Sequence, residues 1–85
     1  MQYVYVLVSA KDHKRYIGYT TDLRRRIQEH ASGDSRSTAS RTPFTLLYYE
    51  ACISSIDAKR RERYLKTTGG RRFLAQRLRT YLFGH

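Results

Sequence analysis

The sequence is poor in several residue types that build stabilised or specialised sites. It contains a single cysteine, Cys52, which excludes an internal disulfide and a zinc site made from several cysteines. It has no tryptophan and no asparagine, and its only proline is Pro43. No apolar run approaches the roughly 18 residues that a membrane-spanning helix needs. The N-terminus lacks the basic segment of a signal peptide. We therefore expect a cytoplasmic protein with no membrane partner.

Acidic residues are also scarce, which leaves a large positive charge. Seven acidic residues stand against 17 basic ones, so the net charge is +10 at pH 7, and 13 of the 17 are arginines. This balance is atypical of an ordinary metabolic enzyme and indicates a polyanionic partner. Because arginine forks match phosphate geometry and stack on bases, they favour nucleic acid over an anionic membrane. We expect DNA as the partner, with RNA as the alternative.

The length and the pattern of apolar residues predict one small α+β domain over residues 1–85. A chain of this size buries only about 60% of its unfolded surface, which leaves no room for a second core. Residues rich in β-branched and aromatic side chains predict strands. The predicted strands span residues 2–9, 15–20 and 44–53. The first two form a hairpin, and the largely apolar third strand is expected to be buried.

Capping residues and breakers predict three helices, at about 21–33, 54–67 and 71–82. Thr21 is the expected hydroxyl cap of the first helix, and Ser54 with Asp57 resembles a capping box for the second. Gly69-Gly70 is expected to separate the second helix from the third. The resulting order, β-β-α-β-α-α, predicts a three-stranded antiparallel sheet flanked by helices.

Two polar residues of the first helix share one edge of its apolar face. Leu23 and Ile27 define that face, Arg26 follows Leu23 by three residues, and His30 follows Ile27 by three. Residues three or four apart are neighbours on a helix, so Arg26 and His30 should lie side by side. Taken alone, Arg26 is as easily read as a solvated cation, and His30 as a packed or surface histidine.

The second helix carries a carboxylate in its apolar stripe. Ala58 and Leu65 are seven residues apart and share a face, and Glu62 lies between them. A carboxylate in this position is usually one half of an ion pair, here with a nearby arginine such as Arg26. The other interpretation is a metal ligand.

These segments together resemble the GIY-YIG nuclease family. Tyr3-Val4-Tyr5 and Tyr16-Ile17-Gly18, which begins eleven positions after Tyr5, resemble its motif pair. The segment from Leu23 through Arg26 to His30 is similar to its Leu-x-x-Arg-x-x-x-His helix, and Ala58-x-x-x-Glu62-x-x-Leu65 looks like its metal-binding helix. The likeness runs from about residue 2 to residue 66.

The closest likeness is to the free-standing members of the family, which resemble the N-terminal domain of the excision-repair incision subunit. The segments Ser37-Thr38, Arg41-Thr42-Pro43 and Leu46-x-Tyr48-x-Glu50 look like this branch. Three features depart from the family pattern. Tyr3 replaces the first glycine of the motif, Tyr19 stands where excision-repair members carry a lysine, and the asparagine that many members place after the metal-binding helix has no counterpart.

The resemblance implies hydrolysis of a phosphodiester bond of DNA with one Mg²⁺ or Mn²⁺ ion. Carried over by position, Tyr5 and Tyr16 are the two motif tyrosines, and Tyr5 is expected to activate water. Arg26 would stabilise the phosphate, and His30 would position a group or shuttle a proton. Glu62 would hold the metal, since a single carboxylate plus water and phosphate oxygens suits Mg²⁺.

The remaining arginines are expected to bind the nucleic-acid backbone. The loop over residues 33–43 should lie beside the site and clamp the strand. The alternative function is a nucleic-acid-binding module without useful turnover, which needs the basic surface but not the catalytic set. The sequence leaves open the strandedness of the substrate and the oligomeric state. The predicted backbone-binding residues are Arg24, Arg25, Arg36, Arg41, Arg60, Arg63, Arg71 and Arg72.

Overall fold

The described residues of a computed structural model, 1–36 and 38–84, form three strands, four α-helices and one 3₁₀ turn. Ser37, which belongs to the Ser37-Thr38 segment of the loop, and His85 lie outside the described residues. The strands are β1 (Gln2–Ser9), β2 (Arg15–Thr20) and β3 (Phe44–Cys52); the helices are α1 (Leu23–Ser32), α2 (Ser55–Leu65), α3 (Thr68–Arg77) and α4 (Arg79–Phe83); and the 3₁₀ turn is Ala39–Arg41.

The sheet is antiparallel with the order β2-β1-β3, which confirms the predicted α+β architecture. The prediction that the third strand is buried is wrong. The central strand is β1, whose residues 4–7 are all buried, whereas β3 lies at an edge and leaves Tyr49 51% exposed. An apolar run predicts a strand but does not say which strand has neighbours on both sides. The β1–β3 register shifts between Val6 and Leu7, and leaves Leu47 without a partner on β1.

The two faces of β1 carry different side chains, because successive residues of a strand point to opposite faces. Val4 and Val6 pack on one face against Ala58 and Leu65 of α2 and Leu74 of α3. All five residues are at most 2% exposed. This face therefore holds the hydrophobic core and fixes α2 and α3 against the sheet.

One of the two predicted helix caps needs correction. Asp22, not Thr21, caps α1, because its carboxylate accepts a hydrogen bond of 3.1 Å from the backbone N–H of Arg25. Ser54 caps α2 as predicted and accepts from the N–H of Asp57 at 3.2 Å. An aspartate next to a threonine offers two possible caps, and the sequence pattern does not choose between them.

The Gly69-Gly70 pair lies inside α3 rather than between helices. The chain leaves α2 at Lys66, and Thr67 caps α3 by accepting from the N–H of Gly70 at 3.1 Å. Gly70 packs directly on the backbone of Tyr64 and Leu65, where a Cβ atom would overlap. The glycine permits a close helix contact.

The predicted helix over residues 71–82 is two helices. Leu78 has φ −104° and ψ 24°, outside the helical region, and separates α3 from the short α4. Of the apolar residues in this segment, Leu74 is buried, whereas Tyr81 is 61% exposed. No helix among the described residues is long and apolar enough to span a bilayer.

Candidate active site

Tyr5 lies at the centre of the sheet face opposite the core. It is 1% exposed and is paired in register with Gly18 on β2. A Cβ atom on Gly18 would overlap the hydroxyl end of Tyr5. The glycine of the second motif therefore makes room for the tyrosine of the first.

The helix α1 places Arg26 and His30 over this tyrosine. Its phase is fixed by the Asp22 cap at the start and by Gly33 at the end, which has φ 80° in the left-handed region. His30 is the buried residue of the helix, at 1% exposure, and the Arg26 side chain is 29% exposed. Both side chains contact the Tyr5 hydroxyl, so Arg26 and His30 lie close together at one edge of the helix, as predicted.

A chain of hydrogen bonds joins three elements of the fold. Nε of Arg26 donates to the Tyr5 hydroxyl oxygen at 3.3 Å. The Tyr5 hydroxyl lies 3.0 Å from Nε2 of His30, and Nδ1 of His30 lies 2.6 Å from the hydroxyl of Thr38. Thr38 is fully buried in the loop after α1. Part of the loop of residues 33–43 therefore contacts this hydrogen-bonded chain, and its expected clamping of the strand stays a prediction.

The donor and acceptor roles follow from the chemistry of the chain. Arg26 can only donate, so it occupies a lone pair of the Tyr5 oxygen. The Tyr5 hydrogen then points to Nε2 of His30, which accepts it. We assign the imidazole hydrogen to Nδ1, which donates to Thr38. In this arrangement the Tyr5 proton can pass directly to the histidine.

The electrostatic environment keeps the resting site neutral at Tyr5 and His30. Burial raises the pKa of the Tyr5 hydroxyl above its ordinary value, against the smaller opposing effect of the Arg26 hydrogen bond. Burial, followed by the charge of Arg26, lowers the pKa of His30 below 6.5. His30 is therefore a neutral imidazole near pH 7, and Tyr5 is a phenol.

Arg26 is held in place by further partners. Nη1 donates to Glu29 at 2.9 Å, and Nη2 donates to the hydroxyl of Ser35 at 3.1 Å. The hydrogen bond to Glu29, followed by those to Tyr5 and Tyr16, raises the pKa of the guanidinium. Arg26 is therefore a permanently charged and positioned cation that still reaches solvent, where a phosphate could approach.

Tyr16, the second motif tyrosine, packs beside the same cluster. Its ring centroid lies 5.1 Å from that of His30 and 6.3 Å from that of Tyr5. It is half-buried at the β2 edge of the sheet. The structure thus brings Tyr5, Tyr16, Arg26 and His30 together.

Glu62 lies on α2, which packs on the core side of the sheet, and it makes no hydrogen bond to this cluster among the described residues. Its charge raises the pKa of Tyr5, although this is the smallest of the contributions. Its carboxylate pairs with Lys66 at 2.6 Å, not with Arg26, and its side chain is 20% exposed. Glu62 is therefore ion-paired, but with a lysine one helical turn further on, at the C-cap of α2, and not with an arginine as one interpretation of the sequence expected.

The donor set around Glu62 suits a hydrated magnesium ion. Among residues 1–36 and 38–84, no group of three or more His, Cys, Asp or Glu side chains is placed to hold a metal together. Mg²⁺ is usually held by one or two carboxylates, with water and phosphate oxygens completing its shell. Glu62 could serve in this way if the carboxylate exchanged Lys66 for the ion.

The predicted backbone-binding arginines divide into two groups. Arg41, at the end of the 3₁₀ turn, is already engaged within the protein. Its Nε donates to Asp12 at 3.0 Å and its Nη2 donates to the carbonyl of Lys14 at 3.3 Å. These bonds connect the 33–43 loop to the β1–β2 turn. Its role in nucleic-acid binding stays a prediction. The other seven are exposed to solvent: Arg24, Arg25, Arg36, Arg60, Arg63, Arg71 and Arg72.

Four residues of the site were not assigned roles from the sequence. Glu29 is three residues after Arg26, and Lys66 is four after Glu62, so helical spacing could have indicated both pairs. Ser35 and Thr38 lie in a segment without periodicity, and no spacing rule connects them to α1. Only the folded loop brings their hydroxyls to Arg26 and His30.

The candidate site thus combines a charged guanidinium with a tyrosine–histidine pair in a small basic α+β domain. The family described as the GIY-YIG catalytic domain matches residues 1–76. The chain belongs to this family.

Several UPF0213 proteins are similar to the chain. One from Halobacterium salinarum is 45% identical over 67 residues, which cover 78% of this chain and 86% of the relative. Another, from Staphylococcus haemolyticus, is 42% identical over 66 residues, with 76% and 79% covered. The solution NMR structure of the UPF0213 protein BH0048 from Bacillus halodurans is 40% identical, with a TM-score of 0.54 and 89% and 84% of the two chains covered.

Proposed function

We propose that the protein is a metal-dependent endonuclease that hydrolyses phosphodiester bonds of DNA. The observation that supports this proposal best is the hydrogen-bonded chain from Arg26 through Tyr5 to His30. It combines a fixed cation for a phosphate with a route for a proton. A module that only binds nucleic acid needs the basic surface but not a buried proton route.

The hydrogen-bonded chain allows Tyr5 to activate water without first being ionised to a tyrosinate. An ordinary tyrosine has a pKa of about 10, so a phenolate is scarce at neutral pH, and burial raises the pKa of Tyr5 further. As water attacks phosphorus, its proton passes to the Tyr5 oxygen while the Tyr5 proton passes to Nε2 of His30. The P–O bond to the leaving oxygen breaks in the same displacement.

Arg26 and Glu62 would stabilise the charge that develops in this step. The guanidinium can donate to a non-bridging oxygen of the phosphate, where negative charge accumulates. Glu62 would hold one Mg²⁺ or Mn²⁺ ion, whose chemistry is to stabilise charge on the leaving oxygen. Tyr16, beside the His30 ring, would orient the water or the phosphate.

The test is nicking of supercoiled plasmid in Mg²⁺ by wild type and by Glu62→Gln. We expect wild type to nick and to stop in EDTA, and Glu62→Gln to bind DNA without nicking. Asp57→Asn is the matched control, because Asp57 is an exposed acid of the same helix that pairs with Arg60. Equal nicking by wild type and Glu62→Gln would overturn the role of Glu62. Tight binding without nicking by wild type would favour the binding-module alternative.

A further inference from the structure

A basic groove runs along the β2 edge of the sheet, next to the candidate site but outside it. It has a volume of about 530 Å³, and its walls come from the β1–β2 turn, β2 and the α2–α3 junction. None of the residues that line it is acidic. Its basic and titratable residues are His13, Lys14, Arg15, Lys66 and Arg71.

Arg15 gives this groove the character of a built site. Its Nη1 atom is buried, and it has no hydrogen-bond partner among the described residues. A buried guanidinium N–H without an acceptor is costly, because it has lost its water without a replacement. Arg15 pairs in register with Val8, which places it on the same sheet face as Val4 and Val6, toward α2 and α3. Because Arg15 lines the groove, an anion that enters it and draws the guanidinium toward it would supply the missing acceptor.

The groove is continuous with the candidate active site through two residues. Tyr16 lines the groove and also packs against the His30 ring. Lys66 lines the groove and pairs with Glu62. An anion in the groove would therefore lie close to Tyr16 and to the Glu62–Lys66 pair.

We propose that this groove is a second phosphate-binding site, which holds the nucleic-acid backbone next to the phosphate that is cleaved. The inference rests on the proposed function for the identity of its ligand. Arg15 of β2 and Arg71 of α3 bind the phosphate, together with Lys14 of the β1–β2 turn. A groove with cations on two walls and no acid selects a polyanionic strand. The bound strand crosses the β2 edge of the sheet.

The experiment measures the affinity for a short thymidine oligonucleotide at several salt concentrations, in EDTA so that no cleavage occurs. The variant Arg15→Gln/Arg71→Ala should bind roughly tenfold more weakly at low salt. It should also show a shallower dependence of log K on log[salt], by about 0.7 for each phosphate that the variant no longer neutralises. Arg79→Ala, an exposed arginine on α4 that does not line the groove, removes one charge as a control and should change little.

A second variant protects the test from a folding defect at Arg15. Lys14→Ala/Arg71→Ala changes only exposed residues, and it should also lower the salt slope. If both double variants bind like Arg79→Ala, the groove does not bind the strand.

Plasmid nicking in Mg²⁺ separates this inference from the proposed function. Wild-type nicking with unchanged binding by the double variants overturns the groove alone. Weakened binding without wild-type nicking supports the groove and overturns the nuclease.

Discussion

The two faces of β1 are built from alternate residues of one strand, yet their side chains make different kinds of contact. On one face Val4 and Val6 pack in the core with Ala58, Leu65 and Leu74. On the other, Tyr5 is buried to the same degree but joins a hydrogen-bonded chain to Arg26, His30 and Thr38. Burial alone therefore does not separate the core positions from the candidate-site positions here. The presence of a connected polar chain does, because buried polar groups are costly unless every member is satisfied.

This comparison predicts that the polar face can lose activity while the protein stays folded. Arg26→Ala should lower the rate of plasmid nicking by on the order of 100-fold, since a phosphate-binding cation acts mainly in the transition state. DNA affinity should fall little, because many other cations remain. Single-turnover nicking and oligonucleotide binding measure the two effects. Arg24→Ala, an exposed arginine of the same helix, is the matched control. Equal losses in both variants would contradict the assigned role.

The apolar face should show the reverse behaviour. Val6 is completely buried in the core, so Val6→Ala removes the equivalent of two methylene groups and leaves a small cavity. The expected cost is about 2 kcal/mol of unfolding free energy, or roughly 10 °C in melting temperature for a domain of this size. The rate of nicking per folded molecule should be kept. Thermal unfolding and nicking below the transition measure both. A large loss of rate in the folded variant would mean that the two faces are coupled.

Sequence periodicity predicted which segments form strands and helices better than it predicted which other elements those segments contact. The strand and helix order and the proximity of Arg26 and His30 both follow from local rules of spacing. The edge position of β3 and the place of Gly70 inside α3 depend on contacts between elements, which no local pattern contains. The contact of Thr38 with His30 also cannot be predicted from local spacing, because only the folded loop brings the two residues together.

The polar face should also respond to pH in a way that the apolar face cannot. Burial lowers the pKa of His30 in the folded protein below the value of about 6.5 expected when it is unfolded. Between these two values the unfolded chain binds more protons, so stability is full above about pH 6.5 and falls as the pH drops toward the folded pKa. Among the described residues, the titratable and charged groups that face His30 are Tyr5, Tyr16, Arg26 and Glu29.

Melting temperature as a function of pH tests this prediction. The melting temperature of wild type should fall as the pH is lowered from about 7 to about 5, and His30→Gln should flatten this part of the curve. His13→Gln is the control, because His13 is exposed in the β1–β2 turn. A wild-type curve that is flat until the carboxylates titrate, below about pH 4.5, would show that His30 is not held neutral by the fold.

The smallest expected effect is on metal affinity and concerns the Glu62–Lys66 pair, which lies next to the core residue Leu65. A metal ion and the Lys66 ammonium would compete for one carboxylate, whose present partner lies at 2.6 Å. The pair is partly exposed, with side-chain exposures of 54% for Lys66 and 20% for Glu62. A pair of this kind is worth only about 0.5–1 kcal/mol. Removing the ammonium should therefore raise metal affinity modestly.

Binding of Mn²⁺, followed by the loss of the free-ion signal in electron paramagnetic resonance, measures this competition without any need for cleavage. Lys66→Met keeps the alkyl stem and should bind Mn²⁺ about two- to fivefold more tightly than wild type, the factor that corresponds to the energy of the pair. Lys59→Met removes the same charge from the same helix, but its ammonium lies over the Tyr19 ring, so its effect should be smaller. Glu62→Gln should abolish the specific binding in both backgrounds. An affinity that is unchanged in Lys66→Met but lost in Glu62→Gln would show that the metal and Lys66 occupy different sides of the carboxylate.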